Sequence, residues 1–339
     1  MPLTVLQLAG SAVDDFHVEL SLLYARECAA ALKDHHRMHM AVVYPDRSWR
    51  FPCSADAPHA GGHSMSAAAA LQHIDALGID VVLPQMFCRP GMTAYRGLLE
   101  AAGLRYVGNT PQVMANAADK PVARSIVAAA GVRVPAGEVV RRARDVTLRT
   151  PVVVKPAGAD NSAGLTLVED PDGLDAALAT AAEFGADVLV ERYVPLGREV
   201  RCAVLEQRGD LVCLPLEEYA VDQDVAPIRR AADKLTRTGG GDLALAAKRA
   251  DRAWIVAPGD PITAPTWRAA RACYRALGCR HYGLFDFRID PEGAPWFLEA
   301  SPYCSFAPCS VVATMAAAAG LPVPELFSAV CAHAGITPA

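Results

Sequence analysis

In the first hundred residues, short apolar segments alternate with longer segments of helical pattern. The segments 3–8, 39–44 and 79–85 are strand-like, and those over 15–32, 65–77 and 93–103 are helix-like. A further short strand is predicted at 104–108. Strands that alternate with helices pair in parallel through helical crossovers. This part of the chain therefore predicts an α/β domain built on a parallel sheet.

The chain is 339 residues long, which exceeds what one hydrophobic core usually serves. Beyond residue 109 the pattern becomes mixed, and it closes with a strand pair and an alanine-rich helix. We expect three lobes: an N-terminal α/β domain over 1–108, a central α+β lobe over 109–190 and a C-terminal α+β lobe over 191–339.

Composition excludes several classes of protein. Hydrophobic residues make up 52% and charged residues 20%, which excludes intrinsic disorder. The net charge of −5 is spread along the chain, so we expect neither a nucleic-acid nor a membrane partner. The ten cysteines are scattered without a C-x-x-C pair, which favours reduced thiols. The N-terminal segment has the pattern of a first strand and not of a signal peptide, so we expect a cytoplasmic protein.

The segment VVVKPAGADNSAG delivers Lys155 at the end of an apolar strand, followed by glycines and small polar residues. Small residues let backbone N–H groups approach an anion, and a lysine adds a point charge. This pattern indicates a phosphate site. An ordinary hairpin turn with a solvated lysine is the alternative, and the sequence leaves it open.

Asp286 and Glu299 lie on two adjacent strand patterns, FDFRID and WFLEAS, joined by a tight turn. Counting residues in twos permits both carboxylates to point to the same side. Two carboxylates beside apolar neighbours need a cation, and Mg²⁺ usually takes one or two carboxylates together with nucleotide phosphates. Solvated hairpin charges are the alternative here. In LVERYVPLGREVRC, Glu191 and Glu199 flank a bend that could pair with a nucleobase and a ribose, and solvated glutamates are the alternative.

Taken in chain order, these elements resemble the ATP-grasp superfamily, and within it the D-alanine–D-alanine ligase group. The resemblance rests on AADK, the lysine segment, VERYVPLGRE and DFRID…FLEAS, with AGSAVDDFHVELSLLYARECAAAL and GLLEAAGLRYVGNTP…DK before them. It covers nearly the whole chain and implies the three-lobed ATP-grasp fold.

The resemblance implies roles for individual residues. Those expected to bind ATP are Lys120, Lys155, Asn161, Ser162, Glu191, Tyr193, Val194 and Glu199. Those expected to hold two Mg²⁺ ions are Asp286, Glu299 and Ser301. Those expected to take part in catalysis are Lys155, Lys234, Arg288 and Ser305. Further candidate substrate contacts are His17, Glu217 and Ser310.

The chain departs from the family pattern at several of these positions. Ser301 stands where the family usually has an asparagine metal ligand, and Ser305 stands at a glycine of the oxyanion site. Leu284 stands where the family has an arginine. Arg288 is a candidate to replace that arginine, because in an alternating strand it points to the same side as Asp286. His17 replaces the acidic residue that recognises the first D-alanine. These departures imply that the phosphorylated substrate is not D-alanine.

Three stretches are more similar to one subgroup, the ligases of mycosporine-like amino acid biosynthesis: LPQMFCRPGMTAYR, LPLEEYAVD and GCRHYGLFDFRIDPEGAPWFLEASPYCSFAP. That resemblance implies coupling of an amino acid, Ser or Thr, to mycosporine-glycine with ATP and Mg²⁺, by a homodimer acting on small molecules. Three alternatives stay open: a dipeptide ligase, a kinase that stops at the phosphorylated product, and a non-catalytic nucleotide-binding module.

Overall fold

The computed structural model describes residues 2–52, 62–159, 163–222, 227–228, 235–237, 243–245 and 252–336. Within these ranges the strands form a four-stranded N-terminal sheet, a four-stranded central sheet, a six-stranded C-terminal sheet and a two-stranded ribbon. Helices pack against all three larger sheets, and the mixed α/β class predicted from the sequence is confirmed.

The N-terminal sheet contains β1 (Thr4–Gly10), β2 (Arg37–Val43), β3 (Trp49–Arg50) and β4 (Val81–Pro84), with helices α1 (Asp15–Leu32), α2 (Ala67–Ala76), α3 (Arg89–Met92) and α4 (Ala94–Ala101). The strand order is β3-β2-β1-β4, and β1 runs parallel to both β2 and β4. Asp14 begins α1, since its carboxylate accepts a hydrogen bond from the backbone N–H of His17. The parallel sheet predicted from the alternation is confirmed.

The strand predicted at 104–108 is wrong. The segment forms only one parallel bridge, between Tyr106 and Val82. Gly108, with φ of 98°, turns the chain away from the sheet directly afterwards, and its N–H donates to His281 Nδ1 at 2.8 Å. The segment therefore ends after two backbone hydrogen bonds to β4.

The central sheet is antiparallel throughout. The elements of this part of the chain are α5 (Pro111–Ala118), α6 (Lys120–Ala129), β5 (Gly137–Val140), β6 (Val152–Pro156), β7 (Thr166–Val168), α7 (Leu174–Ala182) and β8 (Val188–Arg192). The strand order is β5-β8-β6-β7, so the strand that carries Lys155 lies between β8 and β7. Val154 and Val190 on these strands form a core with Leu178 of α7.

The C-terminal part contains β9 (Arg198–Gln207), β10 (Asp210–Cys213), β11 (Glu217–Tyr219), β12 (Leu235–Arg237), β13 (Leu243–Leu245), β14 (Ala253–Ile255), α8 (Thr263–Leu277), β15 (Tyr282–Ile289), β16 (Pro295–Ala300), α9 (Val311–Ala318) and α10 (Val323–His333). Its large sheet has the order β14-β11-β9-β15-β16, with β10 also paired to β9. All of these pairings are antiparallel.

Helices α5 and α6 share a hydrophobic core with the C-terminal sheet. Val113 of α5 and Val127 of α6 belong to one buried cluster with Leu277 of α8 and Phe285 of β15. With a boundary at residue 109, both helices belong to the central lobe, although their apolar faces pack against the C-terminal sheet and α8. The division into three lobes stays a proposal.

The last two helices return to the N-terminal sheet. Val312 of α9 and Phe327 of α10 belong to a buried cluster with Leu3 and Leu83. Among the described residues no single helix is long and apolar enough to cross a membrane. The pair α9 and α10 passes that test only jointly, with a bend of 100° between the two helices.

Candidate functional site: a charged cavity between two sheets

A cavity lies between the central and the C-terminal sheets. The apolar part of the lining includes Pro135, Val153, Leu165, Tyr193, Val194, Ile228 and Leu298. The charged part includes Lys120, Lys155, Glu191, Glu199, Asp286, Arg288 and Glu299. The cavity therefore offers a ligand both apolar surface and charged groups of either sign.

Lys155 forms a buried ion pair on the central sheet. Its Nζ lies 2.5 Å from Glu191 Oε2 on the neighbouring strand, and Arg124 Nε of α6 lies 3.1 Å from Glu191 Oε1. The Lys155 side chain is 7% exposed, so the alternative of a solvated hairpin lysine is wrong. Two cations share one carboxylate here, which leaves the cluster with one uncompensated positive charge. A buried excess of this sign favours an anionic ligand.

Lys120 reaches the same cavity from the first turn of α6. Asp119 caps this helix by accepting a hydrogen bond from the N–H of Val122. The Lys120 ammonium donates to the carbonyl of Ala159, and the Lys120 N–H donates to the Ala157 carbonyl at 3.0 Å. These bonds attach the helix to the segment that follows Lys155, so both lysines predicted from the sequence line one cavity.

Glu199 and Arg288 form a second buried pair. Arg288 Nη2 lies 3.0 Å from Glu199 Oε2, and Arg288 Nη1 donates to the Val194 carbonyl at 3.3 Å. The guanidinium also lies 5.3 Å from the ring centroid of Tyr193. Pro227 accepts a further bond from Arg288 Nη2 at 2.7 Å. Arg288 therefore fixes the bend between β8 and β9, where the sequence predicts contacts to a nucleobase and a ribose.

Four charged residues form one row across the C-terminal sheet. Glu217 on β11 pairs with Arg201 on β9, Arg201 pairs with Asp286 on β15, and Asp286 pairs with Glu299 on β16. Directly opposed residues in a sheet point to the same face. The expected arrangement of Asp286 and Glu299 on one side is confirmed, and Arg201 lies next to them.

Arg201 supplies the cation that the buried carboxylate of Asp286 requires. Its Nε and Nη2 lie 2.9 and 2.8 Å from Asp286 Oδ2, and both side chains are less than 15% exposed. Burial acts to lower the pKa of Arg201, but the charge of Asp286 outweighs it and holds that pKa well above its usual value. The guanidinium beside Asp286 therefore belongs to Arg201. Arg288, the candidate from the alternation of β15, pairs with Glu199 instead.

The carboxylates fit a divalent cation. Within the described ranges no three His, Cys, Asp or Glu side chains are grouped as a complete metal site. Asp286 and Glu299 nevertheless offer two carboxylates from opposed positions at the cavity. Mg²⁺ usually binds through one or two carboxylates and completes its shell with water and phosphate oxygens. This donor set suits Mg²⁺ together with a nucleotide.

Similarity to known proteins agrees with this geometry. The family model described as "D-ala D-ala ligase C-terminus" matches residues 125–239. A D-alanine–D-alanine ligase of Anaeromyxobacter sp. is 32% identical over 308 residues, covering 85% of this chain and 94% of that protein. The chain belongs to the D-alanine–D-alanine ligase family. A putative D-alanine–D-lactate ligase of Streptomyces coelicolor is 31% identical over 256 residues, 74% of this chain and 70% of that protein.

Solved structures show the fold of this family member. The VanG D-Ala:D-Ser ligase from Enterococcus faecalis superposes with a TM-score of 0.75 at 20% identity, covering 98% of this chain and 100% of that chain. The D-alanine–D-alanine ligase from Bacillus anthracis complexed with ATP gives a TM-score of 0.72 at 19% identity, covering 98% and 97%. The ATP-grasp fold and the class of ATP-grasp ligases, both expected from the sequence, are confirmed.

Two residues expected to act in this ligase are buried and are not among the described residues that line the cavity. Ser301 is buried, and its N–H donates to the carbonyl of Leu284 at 2.8 Å. Ser305 is also buried; its carbonyl accepts a hydrogen bond from Gln85 Nε2 at 2.5 Å, and its Oγ accepts one from the N–H of Ala307 at 3.3 Å. Their expected roles in metal binding and catalysis stay predictions.

The substrate candidates occupy three different places. His17 Nδ1 lies 2.8 Å from Asp14 Oδ1 at the start of α1. Ser310 precedes α9, and its buried Oγ has no hydrogen-bond partner among the described residues. Glu217 accepts a hydrogen bond from the hydroxyl of Tyr219 in the charged row. Asn161, Ser162 and Lys234 lie outside the described residues, and their expected contacts to ATP stay predictions.

Sequence reasoning missed the surroundings of Arg201. The sequence alone allows Arg201 to contact a substrate but does not locate it. In the structure its guanidinium lies 5.5 Å from the ring centroid of Tyr219. An aromatic chain continues nearby, since Phe87 lies 5.3 Å from Tyr24 and 5.5 Å from Tyr303 between ring centroids. Phe87 belongs to the motif LPQMFCRPGMTAYR, but the motif does not show where Phe87 lies in the fold.

Proposed function

We propose that this chain is an ATP-dependent carbon–nitrogen ligase that couples an amino acid, serine or threonine, to mycosporine-glycine. ATP would transfer its γ-phosphoryl group to the ring carbonyl oxygen of the acceptor. The amine of the amino acid would then displace phosphate to give an imine. Family membership supports the ATP-dependent ligase class, and the position of three sequence stretches supports this acceptor.

The cavity supports a nucleotide with its phosphates toward the lysines. The apolar lining beside Tyr193 and Val194 suits a purine, and Glu199 lies close enough to that end for ribose hydroxyls. Lys120, Lys155 and Asp286 line the same cavity. Phosphoryl transfer depends chiefly on position and on neutralised charge. The lysines would hold the phosphates, and a bound Mg²⁺ would neutralise charge on the transferred group.

The acceptor assignment is supported by contacts among the three stretches that resemble the mycosporine ligases. These stretches are far apart in sequence, yet the third contacts the first directly and is linked to the second through Arg201. Phe87 of the first stretch packs against Tyr303 of the third, with ring centroids 5.5 Å apart. Tyr219 of the second lies against Arg201, which contacts Asp286 of the third. A shared surface built from these stretches is suited to one molecule that all three would recognise.

The chemistry of the acceptor fits an ATP-grasp ligase. Its ring carbonyl is conjugated to an enamine nitrogen, so the oxygen is electron-rich and attacks the γ-phosphorus of ATP as ADP leaves. The neutral amine of the amino acid then adds to the activated ring carbon. Phosphate departs with the electrons of the carbon–oxygen bond, and loss of a proton leaves the imine. Exclusion of water would protect the phosphorylated intermediate from hydrolysis.

A D-alanyl ligase is the second candidate, and the relatives favour it. The Anaeromyxobacter relative is a D-alanine–D-alanine ligase. The departures at Leu284, Ser305 and His17 weigh against D-alanine as the phosphorylated substrate. Leu284 stands where the family has an arginine. It is 4% exposed and packs with Tyr282 and Ala203 in an apolar cluster, so the positive charge of that arginine is missing here.

The test is ADP release by the full chain with ATP and Mg²⁺. With mycosporine-glycine and serine or threonine, we expect ADP and a product with the mass of the imine. With D-alanine alone, we expect background release. Dipeptide formation without imine would favour the D-alanyl ligase. ADP formed without an amine would indicate a kinase, and ATP binding without turnover on either acceptor would indicate a binding module.

A further inference from the structure

Arg201 has hydrogen-bonding capacity that Asp286 does not use. Its Nε and Nη2 both approach the same oxygen, Asp286 Oδ2. No described residue accepts a hydrogen bond from its Nη1. A guanidinium presents two edges with parallel N–H donors, and the edge formed by Nη1 and Nη2 is therefore available for a planar anion.

Aromatic rings surround this edge. Tyr219 lies against the Arg201 guanidinium at 5.5 Å, which holds the plane of the guanidinium in place. Arg201 lies close enough to Tyr24 and Tyr303 for their pKa values to be linked: the charge of Arg201 opposes the rise in the pKa of Tyr24 that burial causes, and Tyr303 contributes to the raised pKa of Arg201. Tyr24, Phe87 and Tyr303 are each only partly buried. Burial raises the pKa of Tyr24 to about 12, which keeps its hydroxyl neutral beside an anion.

The position of Arg201 separates it from the nucleotide end. Glu199 pairs with Arg288 across β9 and β15, two residues from the pair of Arg201 and Asp286. The Glu199 pair is the one nearer to the bend between β8 and β9. Ala203 and Leu284 continue the two strands in the other direction, toward the apolar core shared with the N-terminal lobe. A ligand held by Arg201 would thus approach Asp286 from the side opposite the purine.

We infer that Arg201 binds the carboxylate of the ring acceptor, and that Tyr24, Phe87 and Tyr303 form an aromatic wall for its conjugated ring. This inference rests on the proposed function, since mycosporine-glycine is a conjugated six-membered ring that bears a glycine carboxylate. The carboxylate takes the Nη1–Nη2 edge, while Nε continues to contact Asp286. The reacting carbonyl is thereby held next to the carboxylates that face the phosphoryl group.

The test compares two acceptors in two enzymes. The first acceptor is mycosporine-glycine, and the second is the same ring with methylamine in place of glycine, which lacks the carboxylate. A charged hydrogen-bonded contact corresponds to a factor of about 10 to 150 in kcat/KM. We expect the wild-type enzyme to prefer mycosporine-glycine by a factor in that range. In Arg201→Leu the preference should disappear, because only the carboxylate-bearing acceptor loses a contact.

Two further variants serve as controls. Arg201→Lys keeps the charge without the planar fork and should retain only part of the preference. Arg198 lies on the opposite face of β9, where it pairs with Glu218 and Asp260. Arg198→Gln should keep the wild-type preference between the two acceptors, whatever its effect on stability.

The outcomes separate this inference from the proposed function. A wild-type enzyme that releases no ADP with mycosporine-glycine overturns both. Turnover of both acceptors with an unchanged preference in Arg201→Leu overturns the inference alone. An equal loss for both acceptors, with a higher Mg²⁺ requirement, also overturns it, because Arg201 would then act only through Asp286.

Discussion

Arg201 and Asp286 face each other across the ladder between β9 and β15, with Arg201 Nη2 2.8 Å from Asp286 Oδ2. The positive charge of Arg201 compensates the negative charge of Asp286, a buried carboxylate of the candidate metal site. Folding therefore does not require a divalent cation at this position, whereas the proposed phosphoryl transfer would. The stability of the site and its chemistry can be separated by experiment.

Chelation of divalent cations should abolish ADP release and leave the unfolding free energy nearly unchanged. Asp286→Asn should lower that free energy by about 3 kcal/mol, because Arg201 would stay buried without its counter-charge. The matched control is Glu292→Gln, in the exposed turn that joins β15 to β16. Denaturant unfolding of the three proteins, with and without EDTA, measures both effects. A large loss of wild-type stability in EDTA would contradict the charge balance.

Lys155 should be required for turnover and not for folding. Lys155→Met keeps the apolar stem and removes the charge, so we expect kcat/KM to fall by about 100-fold or more. Arg124 still contacts Glu191 in this variant, so the loss of unfolding free energy should stay below about 3 kcal/mol. The assay is steady-state ADP release, with Lys33→Met on the exposed end of α1 as the control. Undiminished release would refute the assignment of Lys155.

Local pattern was sufficient to predict some parts of this site. Asp286 and Glu299 belong to one hairpin, so counting residues in twos is enough to permit both on one face. The strand that ends in Lys155 was recognised from its apolar run. The burial of Lys155 was not, because it depends on Glu191 from a strand that is adjacent only in space.

The rest depends on contacts between distant parts of the chain. Arg201 is 85 residues from Asp286, and nothing in the periodicity of β9 reveals that β15 lies beside it. The order of strands in a sheet follows from tertiary packing rather than from local propensity. The same holds for α5 and α6, whose apolar faces pack on the C-terminal sheet although they precede the central strands.

Gln85, which directly follows β4, should hold the Ser305 segment in place. Its Nε2 donates to the Ser305 carbonyl at 2.5 Å, and its Oε1 accepts from Gln7 Nε2 at 3.0 Å. Gln85→Leu leaves both partners buried without it, so we expect a loss of about 2–4 kcal/mol in unfolding free energy. Adding Gln7→Leu should cost less than the sum of the single changes, since the second unpaired group is removed as well. Additive losses in denaturant unfolding would show that the two residues act independently.

His281 should make the fold less stable in acid. It is 8% exposed and accepts a hydrogen bond from the Gly108 N–H. Burial, with the charges of Arg280 and His333, lowers its pKa from 6.5 to about 4, while Glu206 acts weakly in the other direction. The unfolded chain thus binds a proton at this residue below pH 6.5, whereas the folded chain does so only near pH 4. The contribution is present above pH 6.5 and is lost as the pH falls toward 4.

The size of this loss should be on the order of 3 kcal/mol between about pH 7 and 4, with no further loss below that range. His281→Asn removes the titrating group, and asparagine tolerates the positive φ of 65° at this position. The difference between wild-type and variant unfolding free energies, measured in urea across the pH range, isolates His281 from other groups. His35→Asn, at an exposed histidine, is the control. Parallel pH profiles for wild type and His281→Asn would show that His281 is protonated equally easily in both states, and the acid sensitivity would then lie elsewhere.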